Sequence, residues 1–124
     1  AAAMDLHACI DEAVTLAPGG RAFLPTGIAI ALPSAEYVAL VFDRSGLGIK
    51  HGIALSNGVG VIDSDYRGEI GVGLVNLSGT PYTVAPGDRI AQLAVVPVVR
   101  SALTPVEELD ETARGAGGFG STGK

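Results

Sequence analysis

Residues 69–77 read "EIGVGLVNL". Ile70, Val72 and Leu74 recur at every second position with Gly71 and Gly73 between them. Successive side chains of a strand point to opposite faces, so a strand here carries one apolar face and one bare face. Glycine inside a strand marks a bulge, or a place where another backbone or a ligand comes close. The same short apolar pieces recur along the chain: "FLPTGIAIAL" (23–32), "EYVALVF" (36–42), "PYTV" (81–84) and "RIAQLAVVPVV" (89–99). Turn signals separate them, among them "APGG" at 17, "RSG" at 44, "SNG" at 56, "LSGTP" at 77 and "APGD" at 85. No segment carries a helical apolar period of useful length. Only "RSGLGIKHG" (44–52) has room for a turn or two of helix, with Ser45 as its cap. The expected class is all-β, a sandwich or jelly roll.

The bulk composition sets further bounds. A chain of 124 residues with 48% hydrophobic and 17% charged residues suits one folded domain. The net charge of −5 comes with eight Lys and Arg residues scattered without a basic run, which argues against a nucleic-acid backbone or an anionic membrane as partner. A small anion held locally is still compatible with it. Cys9 is the only cysteine, so no intrachain disulfide can form, and a reducing, cytoplasmic setting is expected. The longest apolar run, "IAQLAVVPVV" (90–99), contains Gln92 and Pro97. It falls short of the roughly 20 residues a membrane helix needs. The strand pattern stops at "TPVEELDETARGAGG" (104–118), so a β domain over residues 1–106 and an arm over 107–124 are expected.

Four stretches carry more chemistry than a connecting loop requires. In "DRSGLG" (43–48), Arg44 precedes a Ser-Gly turn whose successive amides could cup an anion, or which could simply be a turn beside a solvated arginine. "SNGVGVIDSDYRGE" (56–69) packs Asp63, Asp65, Tyr66, Arg67 and Glu69 behind an apolar run. There Asp63 is a candidate general base, with Asp65 and Glu69 pairing with Arg67 or facing solvent. In "PGDRIAQL" (86–93), alternation places Gln92 on the face of Ile90, where a half-buried amide needs a partner. The tail "RGAGGFGSTGK" (114–124) reads, taken alone, first as a flexible tag; the alternative is a strand that orders over a ligand, with Arg114, Ser121 and Thr122 as phosphate-type donors and Phe119 as a stacking face. His7 and His51 lack the companions of a metal site, and no covalent-catalysis set, P-loop or CxxC motif occurs.

Taken in order, "AAAMDLHA" (1–8), "DRSGLG" (43–48), "NGVGVIDSDYRGEI" (57–70), "GDRIAQL" (87–93) and "RGAGGFGSTG" (114–123) resemble the five motifs of the trimeric deoxyuridine triphosphatase family. The resemblance spans nearly the whole chain. It implies hydrolysis of dUTP to dUMP and pyrophosphate by a jelly-roll homotrimer with active sites at subunit interfaces. By that resemblance the third motif forms a β-hairpin pocket in which Asn57 and the backbone of Val61 and Ile62 read uracil, with Gly71 close by. Tyr66 sits against the deoxyribose and excludes a 2′-hydroxyl. Asp63 orients and deprotonates the attacking water. Arg44, Ser45, Gly46 and Gln92 hold the phosphates, and Asp5 reaches Mg²⁺ through water. The arm closes over a neighbouring subunit's site, with Arg114 toward the γ-phosphate, Phe119 over uracil, and Gly120, Ser121 and Thr122 on phosphates.

Two other readings use the same residues: a dCTP deaminase of the same fold, and a non-catalytic nucleotide-binding trimer. Three departures from the family pattern set further expectations. The chain opens almost inside the first motif, so a strand that usually precedes it is expected to be missing. Ala3 and Met4 replace a usual glycine and a bulkier residue. Asp43 stands where proline precedes the Arg-Ser-Gly, and a carboxylate there is expected to weaken substrate binding.

Overall fold

The computed structural model describes residues 1–123. Among them run nine strands: β1 Met4–His7, β2 Val14–Leu16, β3 Arg21–Pro25, β4 Tyr37–Phe42, β5 Ile53–Leu55, β6 Gly60–Ile62, β7 Gly71–Asn76, β8 Tyr82–Val84 and β9 Arg89–Pro97. All their pairings are antiparallel. The sheets are four-stranded (β1-β9-β4-β6), three-stranded (β3-β7-β5) and two-stranded (β2-β8). Side chains from all three merge in one apolar core that includes Leu6, Leu16, Leu24, Ile53, Leu74 and Leu93. The all-β, jelly-roll-like class is the one the sequence implied. No helix among the described residues is long and apolar enough to cross a membrane.

The alternation in "EIGVGLVNL" is realised. Ile70, Val72 and Leu74 are buried, and β7 runs between β3 and β5 as the centre of its sheet. Its end is tied down by Asn76, which is wholly buried. The Asn76 side-chain amide donates to the carbonyls of Leu16 (2.9 Å) and Thr80 (2.8 Å). Its Oδ1 accepts from the Ser78 amide (2.9 Å) and hydroxyl (2.7 Å). One buried amide thereby joins β7, the end of β2 and the 78–80 turn, with its polar atoms satisfied as burial demands.

Three local expectations differ from what is found. "FLPTGIAIAL" is not one strand, because β3 ends at Pro25. Thr26 turns its hydroxyl onto the Ile70 carbonyl, and Gly27 takes a φ of +73°, in the left-handed region that glycine alone enters freely. In 44–52 a short π-type helical turn does form at Gly46–Lys50, but Ser45 makes no side-chain cap. Third, β9 is bulged: Leu6 pairs with Ala91 and His7 with Arg89, leaving Ile90 unmatched. The extra residue lets Ile90 and Ala91 both face the core, which reverses the parity and turns Gln92 away from the face of Ile90.

Candidate active site

The bare face of β7 forms the floor of a cleft of about 490 Å³. Asn57, Val61, Ile62, Asp63, Tyr66 and Gly71 all line it, so six predicted site residues converge there. Gly71 and Gly73 are without side chains for a geometric reason. A Cβ on Gly71 would overlap the Phe23 ring, and one on Gly73 would meet the Ser56 hydroxyl at 2.5 Å. The rim turns at Asp63, whose carbonyl accepts from the Tyr66 amide (3.1 Å). The Tyr66 hydroxyl donates to the Glu69 carbonyl (2.9 Å), laying the ring across Gly68. Glu69 does not pair with Arg67: its carboxylate accepts from the Gly27 amide (2.8 Å), joining the rim to the loop after β3. Arg67 donates to the carbonyls of Ser64 (2.8 Å) and Tyr66 (3.1 Å). Asp63 stands exposed at the mouth.

The cationic residues assemble elsewhere on the chain. Asp5 and Gln92 are cross-strand partners, and Gln92 also faces Phe42. The Gln92 amide donates to the Asp43 carbonyl (2.8 Å), which fixes the start of the Arg44-Ser45-Gly46 turn. Arg44 Nε meets Asp5 Oδ1 at 3.0 Å, while Arg89 Nη1 lies 3.5 Å from Asp5 Oδ2. The Asp43 carboxylate has a partner of its own: it accepts from the Leu55 amide at 2.7 Å, tying this loop to β5. That is a structural bond which the sequence reading of Asp43 as a free charge overlooked. Nearby, His51 packs on Tyr82 with ring centroids 5.0 Å apart. Burial pushes the Tyr82 hydroxyl above the ordinary phenol range; Asp88 reinforces the shift and Arg44 opposes it.

A third group lies in the arm. Arg114, Phe119, Gly120, Ser121 and Thr122 are exposed, and no strand runs through 98–123. Arm contacts are local: Arg114 Nη1 donates to the Gly117 carbonyl (3.4 Å) and the Gly115 amide to Thr112 Oγ1 (3.0 Å). Lys124, the last residue of the expected arm, lies outside the described residues. The residues singled out by the sequence therefore lie in three separate places on one chain, and neither Arg44 nor any described residue of the arm lines the cleft.

The family model described as dUTPase matches residues 1–123. The chain belongs to the dUTPase family. A Neisseria meningitidis serogroup B protein named deoxyuridine 5′-triphosphate nucleotidohydrolase is 55% identical over 122 residues, 98% of this chain and 81% of that protein. Among solved structures, a point mutant of the Staphylococcus bacteriophage 80alpha dUTPase with dUpNHpp superposes with a TM-score of 0.88 at 28% identity, covering 100% of this chain and 87% of the other. A point mutant of the dUTPase from phage phi11 of S. aureus, described with a structural Mg(II) ion, gives 0.78 at 26% identity over 90% of this chain and 86% of that one. As a dUTPase, this chain is a dUTP diphosphatase that hydrolyses dUTP to dUMP, which sets the deaminase alternative aside.

Within this dUTPase the third motif departs from the hairpin that the resemblance implied. The only strand within 57–70 is β6, which pairs with β4, while β7, which starts just after the motif, pairs with β3 and β5, so β6 and β7 belong to different sheets and do not pair with each other. The cleft is the gap between them. Sequence reasoning also missed Phe23, Ser56 and Val41 as lining residues and Arg89 as the second cation on Asp5. Phe23 and Val41 lie outside the five motif stretches, and pairing across 84 positions leaves no local signal for Arg89.

Proposed function

We propose that the dUTPase reaction of this chain is carried out by Asp63 on a nucleotide whose base fills the β6–β7 cleft. The observation that carries this is the convergence of Asn57, Asp63, Tyr66 and the side-chain-free Gly71 in one cavity. Asn57 and the backbone of Val61, Ile62 and Gly71 offer hydrogen-bond partners to a base edge. A site built to pair with one edge leaves its polar groups unmatched by cytosine, which is how it discriminates. Tyr66, held by Glu69, closes the sugar side. Asp63 takes the proton of a water as its oxygen bonds to the α-phosphorus; the bond from that phosphorus to the bridging oxygen breaks, and pyrophosphate leaves with the electron pair. In-line attack at phosphorus asks mainly for positioning and charge stabilisation, and only one base.

The phosphate chain is assigned to Arg44, the Ser45-Gly46 amides and Gln92, with Arg114, Phe119, Gly120, Ser121 and Thr122 closing over it. Because these stand apart from the cleft in one chain, the complete site is composed between copies. A homotrimer with exchanged arms, in which residues 1–106 form the body and 107–124 the arm, meets that need. Exposed Val99 and Leu103, at 89% and 94%, give apolar area for such contacts. Asp5 shares its carboxylate between two arginines, and no group of three His, Cys, Asp or Glu side chains gathers as a metal cage among the described residues. That donor set fits Mg²⁺ carried largely by phosphate oxygens and water, with Asp5 in its outer shell. Bound so, Mg²⁺ supplies charge neutralisation to the triphosphate.

The test is to incubate the protein with dUTP, dCTP and UTP, with and without Mg²⁺, and follow pyrophosphate and ammonia. Pyrophosphate from dUTP alone is expected, with Asp63→Asn reducing kcat by about 100-fold or more. A fully active Asp63→Asn variant would remove Asp63 from its role.

A further inference from the structure

β3 passes alongside the cleft floor, and its alternation turns Leu24 into the core and Phe23 outward. Phe23 pairs directly with Gly73 and lies diagonal to Gly71, within reach of an aromatic side chain. Its ring tip rests over Gly71 so closely that a Cβ there would collide with Cζ, Cε2 and Cε1. The ring lines the same cleft as Asn57, Asp63 and Tyr66, yet it is 77% exposed. It is therefore not a core residue that happens to touch the cavity. It is an apolar surface laid on the backbone of the floor, and most of its area has no cover within the chain.

We propose that Phe23 is a substrate-contacting, specificity-determining residue whose ring forms one wall of the base site above the glycine floor. This rests on the assignment of the base to the β6–β7 cleft. A flat, weakly polar pyrimidine matches such a wall: the ring covers one edge or face of the base, and the base covers the ring in return. The two floor glycines and Phe23 form a unit in which the missing side chain at position 71 makes room for a ring that arrives from the neighbouring strand. The width of the site on this side is set by that ring.

The experiment compares wild type with Phe23→Ala and Phe23→Leu in dUTP kinetics, in calorimetric binding of dUMP, and in thermal unfolding. Phe23→Ala is expected to raise KM and weaken dUMP binding by about tenfold each, with kcat changed less than about twofold, since a wall grips ground and transition states alike. Phe23→Leu is expected to recover most of the loss. Because the ring is mostly exposed, both variants are expected to melt close to wild type. Unchanged KM and dUMP affinity in Phe23→Ala overturn the proposal, and so does tighter binding, which would make the ring an obstacle. A lower melting temperature with unaltered KM also overturns it, since the ring would then only shield the strand. A wild-type protein that neither hydrolyses dUTP nor binds dUMP refutes the cleft assignment and the wall together. A competent wild type matched by Phe23→Ala refutes the wall alone.

Discussion

Asp43 separates two physical pictures of the loop that carries Arg44. If its carboxylate were a free charge beside a triphosphate, removing it would tighten substrate binding. Instead, the carboxylate accepts from the Leu55 amide at 2.7 Å, and Leu55 is a buried residue of β5. A hydrogen bond to a charged acceptor contributes about 1.5–3 kcal/mol, and an orphaned buried amide costs about 1–3 kcal/mol. Asp43 itself is exposed, so water can replace part of what is lost and the low end applies. Asp43→Ala is thus expected to destabilise by about 1.5 kcal/mol, which lowers the melting temperature by about 5 °C in a domain of this size. Asp43→Asn keeps an acceptor oxygen but not its charge, and about half that shift is expected. The same bond anchors the Arg44-Ser45-Gly46 turn, so KM for dUTP should rise or stay level in Asp43→Ala. Scanning calorimetry and steady-state kinetics on the three proteins read both quantities. If Asp43→Ala melted with wild type and its KM fell, the carboxylate would be a free charge after all and the reasoning would fail.

Other expectations follow from single features. Asn76→Ala strips the carbonyls of Leu16 and Thr80 of their donor and opens a void in a fully buried position, so a loss of about 3 kcal/mol is expected in denaturant titration; a loss under about 1 kcal/mol would deny it a linking role. Tyr82 has a folded pKa above the ordinary 10.0, which means folding favours the neutral phenol. Its contribution is intact below pH 10 and lost as pH rises through the folded value, so Tyr82→Phe should flatten the alkaline edge of the stability profile and leave neutral pH unaffected. Deleting residues 114–124 should leave the melting temperature near wild type while turnover of dUTP collapses; full activity in the truncated protein would return the tail to a mere tag.

Much of the framework was legible because its causes are local. The two-residue period of Ile70, Val72 and Leu74 specifies a half-buried strand whatever its neighbours, and the glycines between them declare a close approach. The resemblance to the family's third motif pointed to Asp63, Asn57 and Tyr66, which do share a cavity. What escaped depends on which strand lies beside which. The bulge at Ile90 that turns Gln92 outward arises from pairing with β1, 82 or more positions away in sequence. Glu69 could not be matched to the Gly27 amide, nor Asp43 to the Leu55 amide, because a lone carboxylate carries no sign of its partner. Phe23 read as an ordinary strand residue, and only its placement opposite Gly73 brings it to the site.

The placement of β6 and β7 in two different sheets has a wider consequence. Val41, Leu55, Ile70 and Val72 are core residues at 6% exposure or less, and they are also walls of the cleft. The distance between β6 and β7 is thus fixed by the packing that holds the sheets together, in the way a vice's jaws are fixed by its screw. With the base in this cleft, as proposed, affinity and stability draw on the same set of methyl groups. On that assignment, repacking the core for higher melting temperature is expected to reset the grip on the nucleotide, and a change of base to alter how firmly the sheets close.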